Sequence, residues 1–308
     1  MKNKIRKRYE IKILGRCLLA LLGACSSSEE GVAPVNPDVN QDPLPISLNC
    51  VTAATRVTDH GYEAQDAIGL YVVNYSGDRP GALQPSGNHV DNMRFTYNST
   101  WTPDEDIYWK DRTTKANFYA YFPYANVTNL KSHAFTVKED QTTEAAYKQS
   151  EFLYGKAAGV SPTADAVRIT TNHVLSCVVV NVKAGNGFTD EGLKASDIRV
   201  TLNGLKTQAL IDLTSGAVSA TGDVKPMTPL ENGSKLSYKA LVVPQTAAAD
   251  NLFNIRIDER DYKLKKECTF KSGKRYTVPV TVSKTNSGIN VGVGPWEEDN
   301  VDYGGTAE

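Results

Sequence analysis

The central part of this chain consists of short apolar runs in which apolar and polar residues alternate at period two. Runs such as 67–73, 117–122 and 197–202 are bounded by glycine, proline, asparagine, aspartate or serine. Such alternation is typical of half-buried strands, and many short strands in succession predict an all-β sandwich architecture. Long amphipathic helical patterns are missing from the sequence, although 141–149 and 188–193 could each hold a short helix.

Two local signals refine the strand pattern. Thr214, Ser215 and Gly216 separate two apolar runs and predict a tight hairpin turn. Pro279 lies inside the apolar run 276–282. Because proline has no N–H to give to a sheet, we expect this strand to lie at an edge or to be interrupted by a bulge there.

A stretch of small residues with glycine and proline, 155–165, divides an aromatic-rich half from a valine- and leucine-rich half. We therefore predict two β-sandwich domains, 45–160 and 161–296. The aromatic residues of the first half could line a carbohydrate platform, but aromatic residues are favoured in strands and more often fill a core. We expect a core role for Trp101, Tyr108, Trp109, Phe118, Tyr119, Tyr121, Phe122 and Tyr124.

The N-terminus has the pattern of a lipoprotein signal peptide. Residues 1–16 hold seven basic residues and one acidic residue, and the uncharged apolar segment 17–24 follows. About eight apolar residues are too few to span a bilayer, which needs about 20. The residues before the expected cut between Ala24 and Cys25 resemble the bacterial lipobox, in which the cysteine carries the lipid. The alternative is an ordinary secretory cut at which Cys25 is incidental.

The charge distribution separates the folded part from its extensions. Residues 25–44 are polar and contain proline, which predicts a flexible tether, and Glu29 and Glu30 resemble an acidic signal for surface export. Residues 45–296 carry 27 basic and 25 acidic residues, whereas the tail 297–308 has five acids and no base. Because no basic block follows the signal peptide, we expect no nucleic-acid partner.

The sequence contains no recognisable catalytic or metal-binding motif. Three cysteines remain after export and acylation: Cys50, Cys177 and Cys268. They are widely spaced, and the sequence allows at most one disulfide among them. The four histidines are isolated from one another, and neither a nucleophile elbow nor a phosphate-binding loop is present. We therefore expect neither an enzyme nor a bound metal or cofactor.

Across about 46–298 the chain resembles the fimbrillin-like family, which comprises lipoprotein subunits of type V pili and related surface adhesins. The order and spacing of several short motifs carry the resemblance, together with the lipobox. These motifs are TRVTD at 55–59, DAIGLY at 66–71, ANFYAYFPY at 116–124, NHVLS at 172–176, LNGLK at 202–206, ALVVPQT at 240–246 and FKSGKRY at 270–276.

The resemblance implies two transthyretin-like antiparallel β-sandwich domains in tandem and assembly by strand exchange. It implies that an arginine-specific protease removes the first strand, and here the candidate cut follows Arg56. The segment 46–51, with inward-facing Ile46 and Leu48, would leave with it. If the chain has a C-terminal donor strand, that strand would have to include 287–293, with Ile289, Val291 and Val293 as its apolar residues. The alternative is that Arg56 is an ordinary loop residue in an uncleaved adhesin.

These features predict a cell-surface fimbrial subunit with other fimbrial subunits as partners and a lipid anchor in the outer membrane. The acidic tail would be a poor donor strand, so a tip, accessory or non-polymerising role is an alternative. A glycan-binding surface lipoprotein is another, and it would require exposed tryptophan and tyrosine side chains in a flat row. A hydrolase has no motif in its favour.

Overall fold

The computed structural model describes residues 42–53, 61–248 and 252–284, together with the backbone of two later strands. The elements of the first half are β1 (Leu48–Thr52), β2 (Ala67–Asn74), β3 (Val90–Tyr97), β4 (Trp101–Pro103), β5 (Ala116–Phe122), β6 (His133–Thr136), α1 (Glu144–Gln149), β7 (Leu153–Val160) and β8 (Val167–His173). Those of the second half are β9 (Ser176–Ala184), α2 (Asp190–Ala195), β10 (Ile198–Asp212), β11 (Ala217–Met227), β12 (Leu230–Ser234), β13 (Ser237–Val242), β14 (Gln245–Ala247), β15 (Phe253–Ile257), β16 (Arg260–Leu264), β17 (Cys268–Phe270), β18 (Lys274–Ser283), β19 (Asn290–Val293) and β20 (Glu297–Asp302). The predicted all-β class is confirmed, α1 falls within the predicted segment 141–149, and α2 overlaps the predicted segment 188–193 but ends two residues later.

The strands form three larger sheets and a short ribbon of β14 with β17. The first sheet has seven strands in the order β1-β8-β7-β5-β2-β3-β4. The second has the order β11-β10-β15-β16, and β6 also pairs with β10. The third has the order β12-β13-β9-β18, and both β19 and β20 pair with β18. Among the described pairs, β1 with β8 and β9 with β18 run parallel, and the others are antiparallel.

The first sheet is buried on both faces, because apolar residues follow one another along its central strands. In β5, Phe118 and Ala120 face one side, whereas Tyr119 and Tyr121 face the other. One side forms what we call the inner cluster: Ile46, Leu48, Cys50, Ile68, Leu70, Val72, Val90, Phe95, Trp101, Trp109, Ala116, Phe118, Ala120, Phe122, Leu153, Val167 and Ile169. The other side adds Tyr71, Val73, Tyr119, Tyr121 and Tyr154 to a main cluster, which continues through the second and third sheets.

The long hairpin of β10 and β11 joins the first sheet to the rest of the main cluster. The predicted turn is confirmed: Gly216 has a φ of 79° and donates its N–H to Asp212 O at 2.7 Å. A Cβ at Gly216 would lie 2.5 Å from the Tyr154 ring of β7, so the turn packs closely on the first sheet. On its other side β10 pairs with β6, which brings His133 beside Ile211.

Pro279 interrupts the pairing along one side of β18. The strand lies inside the third sheet, because β9 pairs with it along its whole length from Arg275 to Val282. On the opposite side the pairing with β19 reaches Val280 and that with β20 begins at Thr277. The break therefore falls around Pro279, as expected for a residue without an N–H. Neither predicted alternative holds as stated: β18 is an interior strand, and its register with β9 continues through Pro279 without a bulge.

The predicted domain boundary falls between two strands of the same sheet. β7 ends at Val160 and β8 begins at Val167, and β8 lies between β7 and β1 in the first sheet. The small residues at 161–166 connect these two strands, so their composition marks a loop. The division into 45–160 and 161–296 stays a prediction.

Six of the eight aromatic residues expected in the core are buried there. Trp101 and Trp109 are 8% and 5% exposed, and Trp109 packs edge-on against Phe118 with ring centroids 5.3 Å apart. The expectation is wrong for Tyr108 and Tyr124, which are 42% and 38% exposed. Both lie in the segments that follow the strands, where period-two alternation no longer fixes the side of a side chain.

His133 makes the join between the first and second sheets sensitive to acid. Its ring lies 6.0 Å from that of Tyr121 and 5.9 Å from that of Phe152, and burial lowers its pKa from 6.5. The folded state disfavours the charged ring. The contribution of neutral His133 to the unfolding free energy is therefore complete above pH 6.5 and is lost as the pH drops towards the lowered pKa. We expect His133→Phe to reduce the loss of unfolding free energy between pH 7.5 and 5.5, measured by urea denaturation. His89→Phe, at an exposed site, is the control and should lose as much unfolding free energy as the wild type. If His133→Phe also loses as much as the wild type, this assignment is wrong.

Candidate strand-exchange site

The first strand, β1, lies at the end of the first sheet. It pairs in parallel with β8, in a register that runs from Leu48 opposite Val167 to Thr52 opposite Thr171. Among the described strands, β1 pairs with β8 alone. The predicted segment 46–51 and β1 agree to within two residues at each end. A strand in this position can leave the sheet without breaking any other strand pair.

The inward side chains of this segment are part of the inner cluster. Ile46, Leu48 and Cys50 are 4%, 6% and 3% exposed, whereas Ser47 and Asn49 between them face solvent. The predicted inward positions Ile46 and Leu48 are therefore in the core. Full burial of an isoleucine or leucine side chain contributes about 1.5–3 kcal/mol, so side-chain packing holds β1 in place as well as hydrogen bonding.

The two ends of the first sheet meet at β1. Trp101, the first residue of β4, donates its indole Nε1–H to Cys50 O at 2.9 Å. Just before β1, Leu44 O accepts the N–H of Trp109 at 2.8 Å, and the Ile46 N–H donates to Ile107 O at 2.9 Å. The sheet thus curls around the inner cluster, and β1 lies between β8 on one side and the 101–109 region on the other.

A small polar group closes the inner cluster next to Cys50. The Tyr62 hydroxyl lies 3.7 Å from Cys50 Sγ and 2.7 Å from Thr171 Oγ1. The Thr171 hydroxyl in turn donates a hydrogen bond to Val51 O at 3.2 Å. Burial raises the pKa of the Cys50 thiol to about 12 and that of Tyr62 well above its usual value. The thiol therefore stays protonated at neutral pH and acts as a small core side chain.

The other two cysteines of the folded part are buried as well. Cys177, predicted to be a small buried thiol, packs 3.6 Å from the Tyr147 hydroxyl of α1, and Cys268 lies in the main cluster. No disulfide joins the three cysteines in the described part of the chain, although the sequence allowed one among them.

The candidate cleavage residue Arg56 lies outside the described residues, as do Ala24, Cys25 and Ile289. The residues on both sides of segment 54–60 make polar contacts with the folded body. The Ala53 N–H donates to Thr171 O at 2.8 Å on the side of β1. On the other side, Lys148 Nζ of α1 lies 2.7 Å from Glu63 Oε2 and 2.9 Å from Asp66 Oδ1. A cut within 54–60 would thus separate β1 from a remainder that keeps its own contacts.

The candidate donor segment near the C-terminus pairs with β18. The backbone of β19 places Val291 opposite Val282 and Val293 opposite Val280. β20 continues along the other half of β18. The structure therefore places the two described donor positions at the edge of the third sheet and does not bring them next to β1.

Other kinds of site receive no support from the described residues. Within 42–53, 61–248 and 252–284, no group of three histidine, cysteine or acidic side chains is arranged to hold a metal ion. Neither helix in this part of the chain has the length and apolar content that a membrane-spanning helix needs.

Sequence reasoning missed the two contacts that close the inner cluster. The Trp101 hydrogen bond and the Tyr62–Thr171 pair join residues far apart in the chain. A buried tryptophan usually has a hydrogen-bond partner for its indole N–H, so the sequence could have indicated that Trp101 has an acceptor. Nothing in the sequence identified Cys50 O as that acceptor.

Comparisons with known proteins agree with the architecture. The sequence pattern of the fimbrillin-like family matches residues 55–296. A Bacteroides uniformis protein named as a fimbrium subunit, Fim1C, is 24% identical over 298 residues, covering 92% of this chain and 94% of the relative. A Bacteroides ovatus protein named as a fimbrium tip subunit is 24% identical over 206 residues, which cover 60% of this chain and 37% of that protein. A crystal structure of a cell adhesion protein from Bacteroides ovatus shares the fold, with a TM-score of 0.65 at 19% identity over 84% of this chain and 98% of that one.

The bond from Trp101 to β1 can be tested with a matched pair of variants. Trp101→Phe keeps an aromatic ring but leaves Cys50 O without its donor, so we expect a loss of about 1–3 kcal/mol in unfolding free energy. Trp109→Phe is the control, because the Trp109 indole N–H has no partner among the described residues. We also expect faster labelling of Cys50 in Trp101→Phe, measured by mass spectrometry. Equal effects of the two variants would argue against the closing role of Trp101.

Proposed function

Because this chain belongs to the fimbrillin-like family, we propose that it is a structural and adhesive subunit of a cell-surface fimbria that assembles by β-strand exchange. The Bacteroides uniformis relative, named as a fimbrium subunit, supports the assignment over nearly its whole length. The partners are other fimbrial subunits, of the same or of a different kind.

The observation that carries this proposal is the position of β1. It is a terminal strand with one described strand neighbour, and its alternate side chains Ile46, Leu48 and Cys50 fill the inner cluster. If β1 leaves, a groove opens between β8 and the 101–109 region, with an unpaired strand edge and apolar subsites at every second position. A strand from another subunit satisfies both requirements, which is the principle of β-augmentation.

Cleavage at Arg56 would make β1 replaceable without altering the fold. An intact chain holds β1 next to its groove at a high effective concentration, which disfavours any competing strand. A cut in 54–60 turns β1 into a separate ligand, while the ion pairs of Lys148 with Glu63 and Asp66 keep the new start of the chain in place.

The proposed location is the outer face of the outer membrane. The basic leader, the lipobox at 22–25 and the polar tether 25–44 support export, acylation of Cys25 and a flexible connection to the folded part. Glu29 and Glu30 support display at the surface.

A tip or accessory role is the second candidate. The Bacteroides ovatus relative is named as a tip subunit, and the acidic residues of 297–302 make this stretch a poor apolar donor. Such a subunit would accept a strand in the β1 groove without donating one. The glycan-binding alternative loses its main support, since Trp101 and Trp109 are buried and cannot form an exposed aromatic row.

Cleavage and assembly can be tested together. We expect an arginine-specific protease to cut the folded body after Arg56 and to produce fibres visible by electron microscopy, because β1 can then be replaced by a neighbour's strand. N-terminal sequencing identifies the cut. Arg56→Ala should stay monomeric, and Arg79→Ala, which alters an exposed loop arginine, should behave like the wild type.

The outcomes separate the two candidates. Cut monomers that never form fibres alone, but bind one copy of a polymerising subunit, would indicate the tip role. A surface form that still begins at acylated Cys25, with β1 retained in the assembled fimbria, would refute cleavage.

Acylation of Cys25 can be tested against a control cysteine in the signal peptide. We expect Cys25→Ser to abolish labelling by an alkyne fatty acid in cells and to move the protein out of the membrane fraction, since the acyl chains supply the membrane affinity. Cys17→Ser changes a cysteine that is removed with the signal peptide, so labelling should persist. Labelled Cys25→Ser protein would disprove the assignment.

A further inference from the structure

A cavity of about 330 Å³ lies at the end of β1. Thr52, the last residue of β1, borders it, and apolar walls come from Tyr62, Phe122, Tyr147 and Leu153. Phe122 and Leu153 are members of the inner cluster, and Tyr62 packs against it. The cavity is therefore a continuation of the space that β1 fills.

The two inward side chains of the β1 segment that lie nearer this cavity are smaller than the two before them. Ile46 and Leu48 fill the first two subsites, and Cys50 fills a third subsite that the Tyr62 hydroxyl limits at 3.7 Å. The next residue on the same side is Thr52, because side chains of a strand alternate between faces. Thr52 is a small residue at a wide subsite, so β1 leaves its last subsite underfilled.

The rim of the cavity is acidic. Glu63, Asp66, Glu144 and Glu151 border it, and Lys148 is the basic residue among the described lining residues. Lys148 is paired with Glu63 and Asp66, and Glu151 Oε1 lies 2.8 Å from His173 Nδ1. An occupant with a basic residue beyond its apolar side chain would complement this rim.

We propose that this cavity is the fourth subsite of the strand groove and that it receives a large apolar side chain from the strand of another subunit. This inference rests on the proposed strand exchange. The groove then selects an incoming strand with aliphatic residues at the first two inward positions, a small residue at the third and leucine or an aromatic residue at the fourth. A lysine or arginine follows, next to the acidic rim.

The energetic reason is the difference in buried apolar surface between β1 and an incoming strand. An incoming strand that runs parallel to β8, as β1 does, makes the same backbone hydrogen bonds, so these bonds cancel in the exchange. A leucine in place of Thr52 would bury more apolar surface and gain contacts with apolar walls that Thr52 does not reach. The incoming strand therefore binds the same groove more tightly than β1 does.

The first arm of the test uses the intact chain. We expect Thr52→Leu to raise the melting temperature by about 2–4 °C, as filling a cavity does for a chain of this size. Cys50→Leu is the matched control: it adds a similar volume to the same strand, but at the narrow third subsite, where overpacking lowers the melting temperature. If Thr52→Leu destabilises the chain as Cys50→Leu does, the cavity is no subsite for an apolar side chain and the inference is overturned.

The second arm measures exchange. The full chain, with a site-specific protease sequence in place of 54–60, is folded, cut and mixed with a fluorescent peptide of sequence 46–52 or the same peptide with Thr52→Leu. We expect the leucine peptide to bind about tenfold more tightly, measured by anisotropy. Equal affinities would overturn the fourth subsite and leave strand exchange standing. Failure of both peptides to replace β1 would overturn strand exchange at this groove, and this inference with it.

Discussion

The closure of the first sheet at β1 is the contact on which the inner cluster depends. A seven-stranded sheet has two end strands without a second neighbour, and here they meet through the hydrogen bond from Trp101 Nε1 to Cys50 O. That single side-chain donor replaces a ladder bond. Ile46, Leu48 and Cys50 then complete a core that would otherwise open between β8 and β4. The inner cluster is thus completed by a strand at the end of its sheet.

The rest of the fold tolerates this arrangement because a second core lies behind the first. Tyr71, Tyr119, Tyr121 and Tyr154 belong to strands of the first sheet, yet they pack into the main cluster with the second and third sheets. The β10–β11 hairpin and β6 hold that face through contacts that do not involve β1. Loss of β1 therefore affects one face of the sheet, while the opposite face keeps its strands in place.

Local patterns predicted local structure well. Alternation located β1, β2, β5 and β10, the turn at Gly216 was recognised from its residues, and Pro279 marked a break in pairing. Pairings between distant segments could not be predicted this way, because alternation fixes which side chains face inward and leaves the neighbouring strand open. Hence the parallel pairing of β1 with β8 across a predicted boundary was missed. The cavity beside Thr52 also depends on where α1 packs, which no local pattern specifies.

Strand exchange in such a fold would be controlled by side chains and by the connection of the chain, since the backbone bonds lost and regained are equivalent. Cys50 and Thr52 give β1 fewer buried methylenes than an aliphatic strand of equal length would have. Covalent attachment then adds to the packing and hydrogen bonding of β1, because it keeps the strand at high effective concentration beside β8. Proteolysis within 54–60 would remove that advantage and leave the contacts of the groove unchanged. In the proposed assembly, a weakly filling strand and a cleavable connection would act together: the first would make replacement favourable, and the second would decide when it begins.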